Sequence, residues 1–236
     1  MTKVLIALTG VTIWNLKGGE KHPTGFWVEE FAVPDRIFRE AGFDITIATP
    51  GGVTPTGDEL SLAVAMNNND EAKVAELRAY LNSSKDNLTA AIPLESVNSA
   101  DYDVIFVPGG HGPMEDLATN DDIARIYAET LDDSSKVVAS LCHGPASFSS
   151  ATRDGEWLFK GRRITAFLDE EEDQAGFADR APWLLESRLR EYGADFVAGP
   201  AWGSHVVVDG NLVTGQNPAS AEEAANEVLK LVAQLA

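Results

Sequence analysis

The chain has 236 residues, a length that suits one domain and can bury a sizeable core without disulfides or metals. Hydrophobic residues make up 44% and charged residues 23%, a globular balance that excludes a disordered or fibrous chain. With 18 Lys and Arg against 37 Asp and Glu, the net charge is −19, which repels nucleic acid and anionic lipid, so neither is expected as a partner.

Lys3–Leu8 is a short apolar run, too short for a signal sequence or a membrane span, and reads as a first buried strand. A cytoplasmic location is the default expectation. Val11–Thr24, with Gly18, Gly19 and Pro23, reads as irregular. Phe26–Glu40 has helical spacing; Pro34 should kink it and Gly42 should stop it. Phe43–Ala48 is the next strand. Residues 53–98 are richer in Asn, Asp, Ser and Thr and carry one expected helix, Asp70–Leu81. They read as an insertion or lid on a single domain spanning residues 1–236.

The alternation then resumes. Strands are expected at Tyr102–Val107, Val137–Leu141 and Ile164–Phe167, and helices at Asp121–Leu131, Ala146–Thr152 and Pro182–Tyr192. Late strands fall at Phe196–Ala198, His205–Val208 and Leu212–Thr214, before a closing helix over Ala219–Leu235. Apolar strands alternating with helices imply an α/β sandwich with a mostly parallel sheet. Such folds bind ligands at the carboxyl ends of strands, which directs attention to the segments after Val107 and Leu141.

The segment Ser140-Leu141-Cys142-His143-Gly144 has the spacing of a nucleophile elbow with Cys in place of Ser. Small residues two positions to either side permit a tight strand-to-helix reversal. A thiol at a helix N-terminus should have its pKa lowered by the helix dipole, and nearby backbone N–H groups can hold an oxyanion. A lone cysteine is more often a buried, inert side chain; a strand–Cys–His–Gly–Pro–helix context reverses those odds. His143 can serve the thiol as a base, and then needs an orienting carboxylate. Pro108-Gly109-Gly110-His111-Gly112, after the neighbouring strand, reads as a backbone anion nest beside Cys142. Glu29 and Glu30 lie on the first helix, and one of them could face the cleft. Asp169–Asp173 is an acidic run expected as a solvated loop, with one member turned inward to orient His143. No His-x-x-x-His or His-x-His spacing, Walker A or GxGxxG occurs, so neither a metal nor another cofactor is expected.

Taken together, these segments resemble the DJ-1/PfpI superfamily, and within it the Hsp31-like group. The resemblance is carried by Thr24-Gly25-Phe26-Trp27-Val28-Glu29-Glu30, Val107–Gly112, Ala139–Ala146, Thr165-Ala166-Phe167 and Leu212–Ser220. It implies a flavodoxin-like three-layer α/β sandwich, usually dimeric. It implies Cys142 as nucleophile, His143 as its partner and Glu172 as the third member, three residues beyond the Asp of Phe167-Leu168-Asp169. It places Glu30 as the glutamate that hydrogen-bonds the thiol, and the amides of Gly110 and His143 beside the reacting atoms. The activity implied is glutathione-independent glyoxalase chemistry, methylglyoxal or glyoxal being the substrates and lactate the product from methylglyoxal. The alternatives are a holding chaperone or stress protein, or a cysteine redox sensor. The chain lacks the late His-x-Glu dyad of class I glutamine amidotransferases, which argues against glutamine hydrolysis.

Overall fold

The computed structural model describes residues 1–235. Its centre is a seven-stranded sheet: β1 (Lys3–Ala7), β2 (Asp44–Thr49), β3 (Ile92–Pro93), β4 (Val104–Val107), β5 (Val137–Leu141), β6 (Val206–Asp209) and β7 (Leu212–Gly215). The spatial order is β6-β7-β5-β4-β1-β2-β3, parallel except for the β6–β7 pair. Leaving out the edge strands β3 and β6, the order matches the flavodoxin-like doubly wound pattern. β4 and β5 are buried along their whole length, as strands covered on both faces must be.

The helices are α1 (Val28–Glu40), α2 (Glu71–Ser83), α3 (Lys85–Thr89), α4 (Asp121–Thr130), α5 (Asp169–Gln174), α6 (Leu185–Glu191) and α7 (Ala221–Leu235). The period of two along β1 sends Val4 and Ile6 to one core, with Phe31 and Phe38 of α1 and Val228 of α7. Leu5 and Ala7 go to the other core, with Ile123, Ile126 and Tyr127 of α4 and Leu185 of α6. Two apolar layers on one sheet make the three-layer sandwich expected from the sequence.

Three local readings need correction. Val11–Thr24 is not irregular: Ile13–Asn15 pairs antiparallel with Lys21–Pro23, and the reversal uses positive φ at Gly18 and Gly19. Pro34 lies inside one continuous helix, where packing of Phe31 and Phe38 against the sheet outweighs the hydrogen bond it removes. The helix expected at Ala146–Thr152 is a five-residue 3₁₀ turn, Gly144–Phe148.

Residues 53–98 are tied to the body in two ways. β3 extends the sheet beside β2, and α2, capped by the Asp70 side chain, buries Leu77 in the same core as α1. The segment also brings Leu60 and Met66 to the carboxyl end of the sheet.

Candidate active site

Cys142 follows β5 with a φ of 57°, a left-handed conformation that a side-chain-bearing residue adopts only when its surroundings impose it. Main-chain bonds on both sides impose it here. The Cys142 N–H donates to the carbonyl of Gly215 at 2.9 Å, and the Phe167 N–H donates to the carbonyl of Cys142 at 3.0 Å. Gly144 must be glycine, because a Cβ there would lie 2.3 Å from the carbonyl oxygen of Val107. The Ser140 hydroxyl donates to that same carbonyl at 2.9 Å. These contacts explain the small residues on either side of the thiol.

The thiol is nearly sealed, with Cys142 only 2% exposed. Its Sγ lies 3.4 Å from Nδ1 of His143. Nε2 of His143 is 2.6 Å from Oε2 of Glu172, and Nε2 of His111 is 2.8 Å from Oε1 of the same carboxylate. Burial would raise Glu172, but the His143 and His111 rings outweigh it and hold the carboxyl well below the usual carboxylate range. An ionised carboxylate only accepts, so each Nε2 carries the hydrogen; on a neutral ring Nδ1 is then the lone-pair atom. In that tautomer the acceptor nitrogen of His143 is the one that faces the thiol.

The opposite side of Cys142 is set by α1. Glu30 is completely buried; its Oε2 accepts from the Gly109 N–H at 2.7 Å, and Oε1 has no conventional nitrogen or oxygen partner. Burial pushes its carboxyl up to about 8, and the Cys142 thiol is a hydrogen-bonding neighbour. At neutral pH this carboxyl carries its proton. The Gly110 N–H also reaches the sulfur. Gly110 has a φ of 90°, and a Cβ on it would lie 2.4 Å from the carbonyl oxygen of Gly25.

The fold thus brings Cys142, His143, Glu172, Glu30 and Gly110 together. Two expectations are corrected. Burial, with the Glu30 carboxyl next, pushes the thiol up from its ordinary value. The expected lowering fails because the 3₁₀ turn after Cys142 is too short to supply a substantial dipole. The acidic run is not a solvated loop but helix α5, and two of its members are buried. Glu172 reaches the histidines. Glu171 instead accepts from the Trp202 N–H and the side-chain amides of Gln216 and Asn217, bracing the neighbouring loop.

His111 was legible only for its glycine neighbours. Its ring stacks on Trp14 at 4.2 Å between centroids and lies 4.2 Å from the His143 ring. The available signal was positional: His111 and His143 follow the ends of adjacent strands. His111, His143 and Glu172 also form a set of metal-ligand types, with donor atoms within 4.8 Å of one another. The sequence reading named no metal site because these three residues come from three separate segments. In this structure the Nε2 atoms of both histidines are hydrogen-bonded to Glu172.

Above the sulfur lies a cavity of about 30 Å³, walled largely by apolar groups including Trp27, Met66, Phe167, Phe177 and Trp202. Among the described residues, no helix is long and apolar enough to cross a membrane.

A doubly wound sheet with a strained cysteine at its carboxyl edge, paired to His and Glu, defines a cysteine-centred α/β protein. Residues 24–231 match the model of the DJ-1/PfpI family, and the chain belongs to that family. It is 34% identical to Glyoxalase 3 of Candida albicans over 237 residues, covering 97% of this chain and 98% of the relative. It is 35% identical to Glutathione-independent glyoxalase HSP31 of Saccharomyces cerevisiae over 232 residues, 94% of each chain. The crystal structure of glyoxalase III from Candida albicans superposes with a TM-score of 0.83 at 30% identity, covering 98% of this chain and 97% of that one.

Proposed function

We propose that the chain is a glutathione-independent glyoxalase that converts methylglyoxal and water to lactate through a Cys142 hemithioacetal. The observation that carries this reading is the thiol on its elbow, 3.4 Å from the basic nitrogen of His143, beneath a cavity of about 30 Å³. That small, largely apolar space lies directly over the sulfur, where the carbonyl carbon has to sit. The protein's own sulfur then takes the part of an external one. The relatives bearing glyoxalase names support the same chemistry.

Cys142 attacks the aldehyde carbon as its proton passes to His143. The amides of Gly110 and His143 steady the oxygen that gains charge. Glu172 fixes the His143 tautomer and stabilises the imidazolium. Glu30, already protonated, donates to the sulfur rather than acting as the base. The hydrogen on the first carbon leaves as a proton and protons are returned to the second carbon and its oxygen, giving a lactyl thioester. Water cleaves that thioester, and the thiol is restored.

The test is methylglyoxal consumption without glutathione, with lactate as readout, for the unaltered protein and Cys142→Ala. Lactate from the unaltered protein alone supports the reading. Lactate from both would remove Cys142 from the mechanism. None from either, with folded protein and reduced thiol, would overturn the glyoxalase reading.

A further inference from the structure

Two imidazoles share one carboxylate in this site, and the mechanism above uses only one of them. His143 directs its lone pair at the sulfur. His111 binds the other oxygen of Glu172 at 2.8 Å, so its Nε2 is committed as a donor. Its Nδ1 is buried and meets no donor or acceptor of the protein. A histidine serving only to prop the carboxylate would be expected to have both nitrogens satisfied. Yet His111 lines the same cavity as Cys142 and His143, and it is 5% exposed. Trp14 stacks on its face with planes 10° apart, which holds the ring plane.

The proposed reaction moves two protons: one from sulfur during attack, one from the first carbon during rearrangement. A single imidazole would have to deliver the first before accepting the second. We propose that His111 is a second catalytic base, which takes the proton from the first carbon while His143 still holds the thiol's proton. This rests on the glyoxalase reading.

The proton count closes. His143 gives the thiol-derived proton to the second carbon, and His111 gives the carbon-derived proton to the oxygen on that carbon. Both imidazoles return to neutrality, and the adduct has become the thioester with no atom gained or lost. Burial and the neighbouring His143 lower the pKa of His111, which keeps its Nδ1 unprotonated and able to accept.

The assignment has an isotopic signature. The thiol exchanges with solvent between turnovers, whereas hydrogen bound to the first carbon does not. In D₂O the unaltered protein should form lactate almost fully deuterated at the second carbon. His111→Gln keeps a donor toward Glu172, and His111→Phe keeps the stack on Trp14. Each should lower kcat about 10²-fold. The surviving turnover should return much of the substrate's own hydrogen to the second carbon, because His143 must then perform both transfers. Alkylation of Cys142 by iodoacetamide should change less than threefold.

Normal kcat and full deuteration in the folded variants would overturn the proposal. So would an alkylation rate that falls in step with kcat, since His111 would then act only through the thiol. Lactate without deuterium from the unaltered protein would also overturn it, by pointing to a direct hydrogen shift. Failure of the glyoxalase reading is distinguished by its own result: no lactate from the unaltered protein.

Discussion

The two sides of Cys142 each present a buried glutamate, and the same side chain has opposite character on each. Glu172 lies between two imidazole N–H donors that outweigh burial, so it stays ionised. Glu30 has one backbone donor and no cation, so burial wins and its carboxyl rises to about 8. What the residue does is set by the count of donors around it, and the two carboxyls thereby divide into anion and acid. An anion orients and charges the histidine; an acid gives the sulfur a hydrogen bond without adding a second negative charge.

The most severe way to break this contrast is Glu172→Gln. A neutral amide can donate to one histidine and accept from the other, so one imidazole must change tautomer. Lactate formation should fall by about 10²- to 10⁴-fold, with the fold and the thiol content unchanged. Activity within a few-fold of the unaltered protein would show that the charge on Glu172 is unnecessary.

A thermodynamic measurement sharpens the contrast from the other side. Between the ordinary value of 4.5 and about 8, folded Glu30 holds a proton that the unfolded chain has released. Its contribution is therefore full below 4.5 and is lost as pH rises toward 8. Across pH 5 to 7 that loss is about 3 kcal/mol. Glu172 has the reverse sign: its contribution is present above the ordinary carboxylate range and is lost as pH falls through its lowered value. Urea unfolding of Glu30→Gln at pH 5 and pH 7 should show the variant gaining on the unaltered protein by that amount. Parallel stabilities at both values would mean that Glu30 does not bind a proton on folding.

The sequence made some of this legible and hid the rest for physical reasons. The elbow could be read because a thiol at a tight reversal needs small residues at fixed spacing, and Ser140 and Gly144 supplied them. The strand over Val137–Leu141 was legible because a strand buried on both faces is a continuous apolar run. Glu172 could be picked from Asp169–Asp173 only by family resemblance, since five consecutive acids show no periodicity. Folding them into a helix turns Glu171 and Glu172 about 100° apart, toward different partners. The hairpin bearing Trp14 was missed because each strand has three residues, too few for an alternation to register. His111 was hidden by the glycines around it, which drew the reading to backbone rather than ring. The lowered thiol pKa was a fair inference from a helix, and it failed with the helix.

The mildest expected effect is also the one that separates the two glutamates most cleanly. Glutamine is the neutral counterpart of a protonated glutamate: it keeps a donor for the sulfur and an acceptor for the Gly109 N–H. If Glu30 works as an acid, Glu30→Gln should retain lactate formation within about tenfold at pH 7, the equivalent of one weakened hydrogen bond. Its rate should also lose any inflection that the unaltered protein shows near pH 8, where Glu30 gives up its proton. Glu30→Ala removes the donor and opens a void under the thiol, so it should be the slower of the two. If Glu30→Gln is instead as inactive as Glu172→Gln across the pH range, Glu30 works as a base, and both sides of the cysteine carry the same kind of group.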